Sequence, residues 1–159
     1  MANENKKDFN AMLKDGKDMP KIVVITDQKS IEKYGGSRMY FAPPFAYDEV
    51  MRRVPKGKVI TVGDIRAYFA KQNNADFTDP ITAGIFCSIA AWASFQRTDD
   101  KTPYWRTLKN NGELNPKYPG GIEEQKKLLE AEGFTIIKKG RTNIRYFAEN
   151  YQDKLYKLE

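Results

Sequence analysis

The rhythm of apolar and polar positions changes along the chain, and each change marks an element. Residues 1–19 are rich in Lys, Asp and Asn. Phe9, Met12 and Leu13 suffice for one helical turn within what reads as a mobile tail, closed by Gly16 and Pro20. Lys21 to Thr26 is compact and largely β-branched, which predicts a short strand. A Gly35-Gly36 turn follows, then an apolar segment, Met39 to Ala42, stopped by Pro43-Pro44. From Phe45 the period becomes helical: Tyr47, Val50, Met51 and Val54 share one face, and Pro55-Lys56-Gly57 ends the element. Thr61 with Asp64 three positions on opens a second helix in the manner of a capping box, with Ile65, Tyr68 and Phe69 as its buried stripe. The polar run from Lys71 to Asp76 reads as a loop. A third helix starts where Thr78 or Asp79 can cap and Pro80 occupies the first turn. From Ile81 to Trp92 it is apolar on nearly every face. It is therefore packed on one side and greasy on the other.

Downstream, Trp105 to Leu108, the Asn110-Asn111-Gly112 turn and Glu113-Leu114 predict a short hairpin. Gly120-Gly121 lead into a helix over 122–132, ended by Gly133. Residues 134–137 and 144–147, joined through Lys138-Lys139-Gly140-Arg141, predict a second hairpin with a basic tip, the form of a wing. Residues 151–158 predict a closing helix. The whole reads as a mostly α fold with small β hairpins, of winged-helix or helix-turn-helix type. It divides into a tail (1–19), an N-terminal extension (20–44), a central domain (45–133), and a wing with closing helix (134–159).

Composition narrows the chemistry. The chain has 159 residues, enough for one domain, with 40% hydrophobic and 30% charged residues. A single cysteine, Cys87, rules out an internal disulfide and a multi-cysteine metal site. The absence of histidine removes the usual general base and the commonest zinc ligand, and with them Ser-His-Asp and Cys-His catalysis. Carboxylate, Lys or Tyr catalysis and Mg²⁺ binding stay open, but no paired-acid motif stands out, so neither metal nor cofactor is expected. Nothing approaches a membrane span of roughly 20 apolar residues, and Ile22 to Ile25 is too short for a secretory signal; a cytoplasmic protein with no membrane partner is expected. The net charge of +6, from 27 basic and 21 acidic residues, suits a polyanion.

Three blocks in order carry a resemblance. They are Val54-Pro55-Lys56-Gly57-Lys58-Val59 leading into Thr61-x-Gly63-Asp64-Ile65; Pro103-Tyr104-Trp105-Arg106; and Tyr118-Pro119-Gly120-Gly121, followed by the run from Lys126 to Gly133. Over residues 45–133 the chain resembles the DNA-binding domain of the O6-alkylguanine-DNA alkyltransferase family, and its flanks look like those of a bacterial branch. In that family a Pro-Cys-His-Arg motif supplies a thiolate that accepts the alkyl group, a histidine–water relay and a glutamate that orients the histidine. Here Tyr104 stands at the cysteine position and Trp105 at the histidine position, while Arg106 and the glutamate, Glu132, are kept. The resemblance therefore implies no enzyme. It implies a non-catalytic alkyltransferase-like protein that binds double-stranded DNA, with an alkylated base as the candidate ligand, in DNA repair. Two further positions depart from the family pattern. Ile81 stands where an arginine fills the place of a flipped base, and Val62 where a tyrosine helps rotate the target phosphate.

Each candidate residue has a structural alternative. Tyr104 and Trp105 either stack on an extruded base or plug the old pocket. Arg106 either serves in the degenerate motif or ties the hairpin to Glu132 or a backbone carbonyl, and Tyr118 with Gly120-Gly121 either lids a pocket or marks a turn that needs positive φ. Ile81 is either a wedge between bases or a partner-facing residue. Thr61, Thr82, Lys56, Lys58, Arg66 and Lys71 near the helices, with Lys138, Lys139 and Arg141 in the wing, are candidate DNA contacts or ordinary solvated positions. The competing function is a winged-helix interaction module that has abandoned DNA. It would use Ile81, Ile85, Phe86 and Trp92, within residues 81–95, for a protein partner or for self-association. A small-ligand pocket lined by Tyr104 and Tyr118 is the third reading.

Overall fold

The computed structural model describes residues 7–158. Its helices are α1 (Phe9–Lys14), α2 (Gln28–Tyr34), α3 (Pro44–Arg52), α4 (Val62–Gln72), α5 (Pro80–Gln96) and α6 (Gly121–Ala131). The strands are β1 (Lys21–Val24), β2 (Arg38–Phe41), β3 (Ile60–Thr61), β4 (Phe77–Thr78), β5 (Thr107–Leu108), β6 (Ile136–Lys139) and β7 (Arg145–Ala148), and 3₁₀ turns lie at Tyr104–Arg106, Asn110–Gly112 and Tyr151–Lys154. The fold is mostly α with small β elements, as the sequence predicts.

Helix α5 is the axis of the core. Asp79 caps it, its carboxylate accepting from the Thr82 amide, and Pro80 occupies the first turn, where no helical N–H partner is needed. Ala83, Ala90, Ala91 and Ala93 are buried, and their small side chains let α1, α3 and α4 come close. Tyr47 of α3 sets its ring edge-on to Phe69 of α4 at 5.0 Å and to Phe86 of α5 at 6.1 Å, joining the three helices of the helix-turn-helix core. The capping box at α4 forms as read: the Thr61 hydroxyl accepts from the Asp64 amide, and the Asp64 carboxylate from the Thr61 amide.

Several expectations change. Within the stretch read as a mobile tail, α1 is an ordered helix: Phe9 and Leu13 are buried, Phe9 stacks on Trp92 at 5.7 Å, and Asn10 donates to the Ala93 carbonyl. The first six residues of that stretch lie outside the described residues. Helix α2, unread in the sequence, is capped by Asp27 and ends on Gly35 at φ 85°, and it carries Tyr34 onto Phe77. The hairpin expected over 105–114 does not form as such. β5 pairs parallel with β3, and Glu113 bridges Phe147 of the wing, because both partners offer buried apolar neighbours that a two-residue hairpin lacks. The closing helix shortens to one 3₁₀ turn. After it Leu155 bridges Val59, with the Tyr156 amide donating to the Val59 carbonyl. The wing itself is present as the antiparallel β6–β7 pair, and β1-β2-β4 form a three-stranded sheet.

Candidate nucleic-acid interface

The positions of the degenerate motif come together beside the core. Tyr104 and Tyr118 are 7% and 1% exposed, their rings edge-on with centroids 5.4 Å apart. Each phenol donates to a backbone carbonyl, Tyr104 to Pro119 and Tyr118 to Thr107. Burial pushes the Tyr104 hydroxyl up to about 12 and that of Tyr118 well above its ordinary value, so both stay neutral donors. The two rings fill the space between them. Displacing either would strand buried hydrogen-bonding groups at about 1–3 kcal/mol each.

Glu132, in the turn that ends α6, is the hub of this region. Arg106 grips its carboxylate in a fork, with Nε at 3.0 Å from Oε1 and a terminal guanidinium nitrogen at 2.8 Å from Oε2. The Trp105 indole N–H donates to it at 2.9 Å and the Gly57 amide at 3.2 Å, while Arg106 also donates to the Val54 carbonyl. Burial alone would raise the carboxyl, but the Arg106, Trp105 and Gly57 donors together hold it below the usual carboxylate range. Arg106 is thus the structural tie, and Trp105, at the position the resemblance gives to histidine, offers the same glutamate a ring N–H. Cys87 is fully buried and desolvation pushes its thiol up to about 12, so a thiolate at that position is strongly disfavoured.

The candidate contacts do not form one surface. Arg66, Ile81 and Thr82 surround the N-terminal turns of α4 and α5, although both the Thr82 amide and hydroxyl are held by Asp79. Thr61 is buried and spent on its capping role. Lys56 and Lys58 are exposed on either side of Gly57, at the Glu132 link. Lys138, Lys139 and Arg141 are exposed in the wing, where Lys139 lies over the Phe147 ring at 4.8 Å. Phe86 and Trp92 are buried, the latter under α1, so the partner face expected of them reduces to Ile81, Ile85 and Phe95, exposed by 71%, 51% and 57%.

Sequence reading missed the segment that builds a surface out of these parts. Residues 109–117 cross in front of α4 and α5 and are pinned at three points. The Asn110 side-chain Oδ1 accepts from the Gly63 amide, the Trp92 indole donates to the Lys117 carbonyl, and buried Gln125 accepts from the Asn115 amide. A Cβ at Gly63 would meet that Asn110 oxygen at 2.7 Å, so a side chain there would push the Asn110 amide away and loosen this pin. Three clefts meet along the segment. One of 730 Å³ runs between α1 and the open face of α5, past Lys7, Ile81, Gly84, Ile85 and Lys117. It shares Gly84, Pro116 and Lys117 with one of 260 Å³ against Val62, Arg66 and Lys109. That in turn shares Lys109 and Pro116 with one of 340 Å³ reaching Asn143 and Arg145 of the wing. Lys7, Lys117, Arg66, Lys109 and Arg145 line this furrow. Among the described residues its one carboxylate is Glu113, forked by Arg145, whose hydrogen bonds hold it below the usual carboxylate range. A separate 530 Å³ cleft, on another face of α4 beneath residues 152–158, balances Lys71 and Lys157 with Asp64 and Asp153.

The furrow runs across the N-terminal turns of α4 and α5, and a three-helix core followed by a wing defines a winged-helix fold. Two solved structures share it, both of alkyltransferase-like proteins from S. pombe. One is Atl1 in complex with damaged DNA containing O6-carboxymethylguanine (20% identity, TM-score 0.51), and the other is the ATL protein in complex with DNA (21% identity, TM-score 0.53). Each match covers 72% of this chain and 94% of the other. No family model matches the sequence, and no curated protein matches it. Among the described residues no helix is long and apolar enough to cross a membrane.

Proposed function

We propose that this chain is a non-catalytic DNA-binding protein of alkyltransferase-like type, acting in DNA repair, and that it holds duplex DNA along the furrow of residues 109–117. The observation that carries the reading is the furrow itself: five cations around an apolar centre, of which Arg145 and Lys109 pair with its carboxylate, on a fold shared with two solved structures that hold DNA. Lys109, Lys117 and Arg66 would meet phosphates, and the wing cations Lys138 and Arg141 would extend the track. The loss of a usable thiol supports a binding role rather than alkyl transfer, since Cys87 is sealed in the core. A bacterial, cytoplasmic setting belongs to the same reading and rests on the sequence.

Fluorescence anisotropy with a labelled duplex over a salt series tests it. Binding tighter than about 10⁻⁴ M at low salt, weakening linearly in log–log form as salt rises, is the expected result, and weaker binding rejects the reading. The competing partner-binding reading keeps Ile81, Ile85 and Phe95 at the surface; a dimer in sedimentation, dissolved by Ile85→Lys, would favour it instead.

A further inference from the structure

Resting on the DNA-binding reading above, we infer that Glu113 is a positioning residue for duplex DNA: it holds Arg145 of the wing so that the outer edge of the guanidinium meets a backbone phosphate. Arg145 approaches the carboxylate side-on, with Nε donating to Oε2 at 2.9 Å and the terminal nitrogen Nη2 to Oε1. Glu113 is itself fixed by its main chain. It bridges Phe147 of β7, its carbonyl accepts from the Lys109 amide, and the following amide, of Leu114, donates to the Tyr146 carbonyl. The Glu113 side chain is 9% exposed and that of Arg145 51%, so the arginine covers the carboxylate and keeps its far side in solvent.

A guanidinium carries five N–H donors in one plane. The fork uses two of them, one on Nε and one on Nη2. Of the rest, one from each terminal nitrogen forms the end-on edge, whose spacing matches two oxygens of a phosphate. Among the described residues Nη1 donates to no protein group. The Phe147 ring, 5.8 Å from the guanidinium carbon, limits its swing. Arg145 lines the 340 Å³ cleft between the wing and residues 109–117 together with Lys109 and Asn143. The Lys109 Nζ stands 3.8 Å from the same Glu113 carboxylate, so one buried acid gathers two cations at the cleft. An unheld arginine gives up its rotamer freedom on meeting a phosphate, whereas a forked one has already lost it. The carboxylate therefore aids binding through geometry by more than it opposes binding through charge.

The experiment uses the full chain and a labelled, unmodified duplex, with anisotropy read over a salt series. Arg145→Ala should weaken binding roughly ten-fold and lower the slope of log affinity against log salt by about 0.9. Glu113→Gln makes the chain more positive, yet it should weaken binding roughly five-fold. Its amide NH2 would meet a guanidinium N–H donor to donor and release the arginine. The double variant should match Arg145→Ala within about two-fold, because both changes remove the same contact. Arg145→Lys keeps the charge without the planar fork and should weaken binding about five-fold at an unchanged slope. Unchanged or tighter binding by Glu113→Gln overturns the positioning role and leaves the carboxylate a plain repulsive charge. Losses that multiply in the double variant overturn the coupling. Native affinity in Arg145→Ala overturns the contact while DNA binding stands. Where Glu113→Gln melts well below the native chain, Arg145→Lys decides: a loss upholds the fork and native affinity overturns it. Absence of binding by the native chain removes the inference together with the function it rests on.

Discussion

Glu132 shows how its neighbours set the task of a single side chain. With a forked guanidinium, an indole and an amide all donating to it, its charge is an internal fastener. Removing one partner of such a buried pair leaves the other uncompensated, so Glu132→Ala should destabilise by about 3–5 kcal/mol in urea denaturation. The pH sign follows from the depressed carboxyl. A group whose folded pKa lies below its unfolded value adds stability that is complete above the unfolded value, near 4.3 for a glutamate, and is lost as pH falls through the folded one. Midpoints measured from about pH 6 down to pH 3 should fall more steeply for the native chain than for Glu132→Gln. The Arg106–Glu132 tie was legible in the sequence, because both residues survive at motif positions. That the Trp105 indole N–H reaches the same carboxylate was not: no local pattern says where a ring nitrogen points.

Among the elements, those announced by nearby residues were readable and those made by distant ones were not. The Thr61–Asp64 box and the Asp79–Pro80 start lie within a few residues of what they cap, so α4 and α5 are visible in the chain alone. Helix α1 is short, and its partners lie far along the chain, on α3 and on α5, where Phe9 stacks on Trp92 and its amide donates to Gln96 more than 80 positions away. Such a segment looks unattached until the fold is known. Helix α2 did carry a local signal, Asp27 before and Gly35 after, but its lack of buried positions hid it. The attachment of α1 is testable through the ring pair it makes. Phe9→Ala should cost about 3 kcal/mol and expose the Trp92 indole, read as a lower melting temperature and a red-shifted emission. The segment 109–117 is the functional counterpart of α1: Lys109 and Lys117 sit in no motif and gain meaning only once the Gly63, Trp92 and Gln125 anchors bring them before α5. Replacing both with alanine should lower the slope of log affinity against log salt by about 1.8. The same change at Lys56 and Lys58, which line none of the three clefts, should leave that slope unaltered.

At the scale of the whole molecule, the region around Tyr104 and Tyr118 is given over to packing while the furrow of residues 109–117 stays open. The core runs continuously from α1 through Tyr104 and Tyr118, whereas exposed Ile81 and Ile85 and the cations of the furrow remain outside it. The division has a kinetic consequence. The Glu132 hub joins parts of the chain 26, 27 and 75 positions apart, and its Arg106 partner reaches back a further 52 to Val54. Contacts that span such lengths must close large loops before they are rewarded, and we predict that this polar hub is completed after the rate-limiting step. Glu132→Gln should therefore leave refolding close to its native rate and quicken unfolding, tilting only one arm of the chevron in stopped-flow measurements. A fastener of this kind governs how long the assembled molecule lasts, not how quickly it is made.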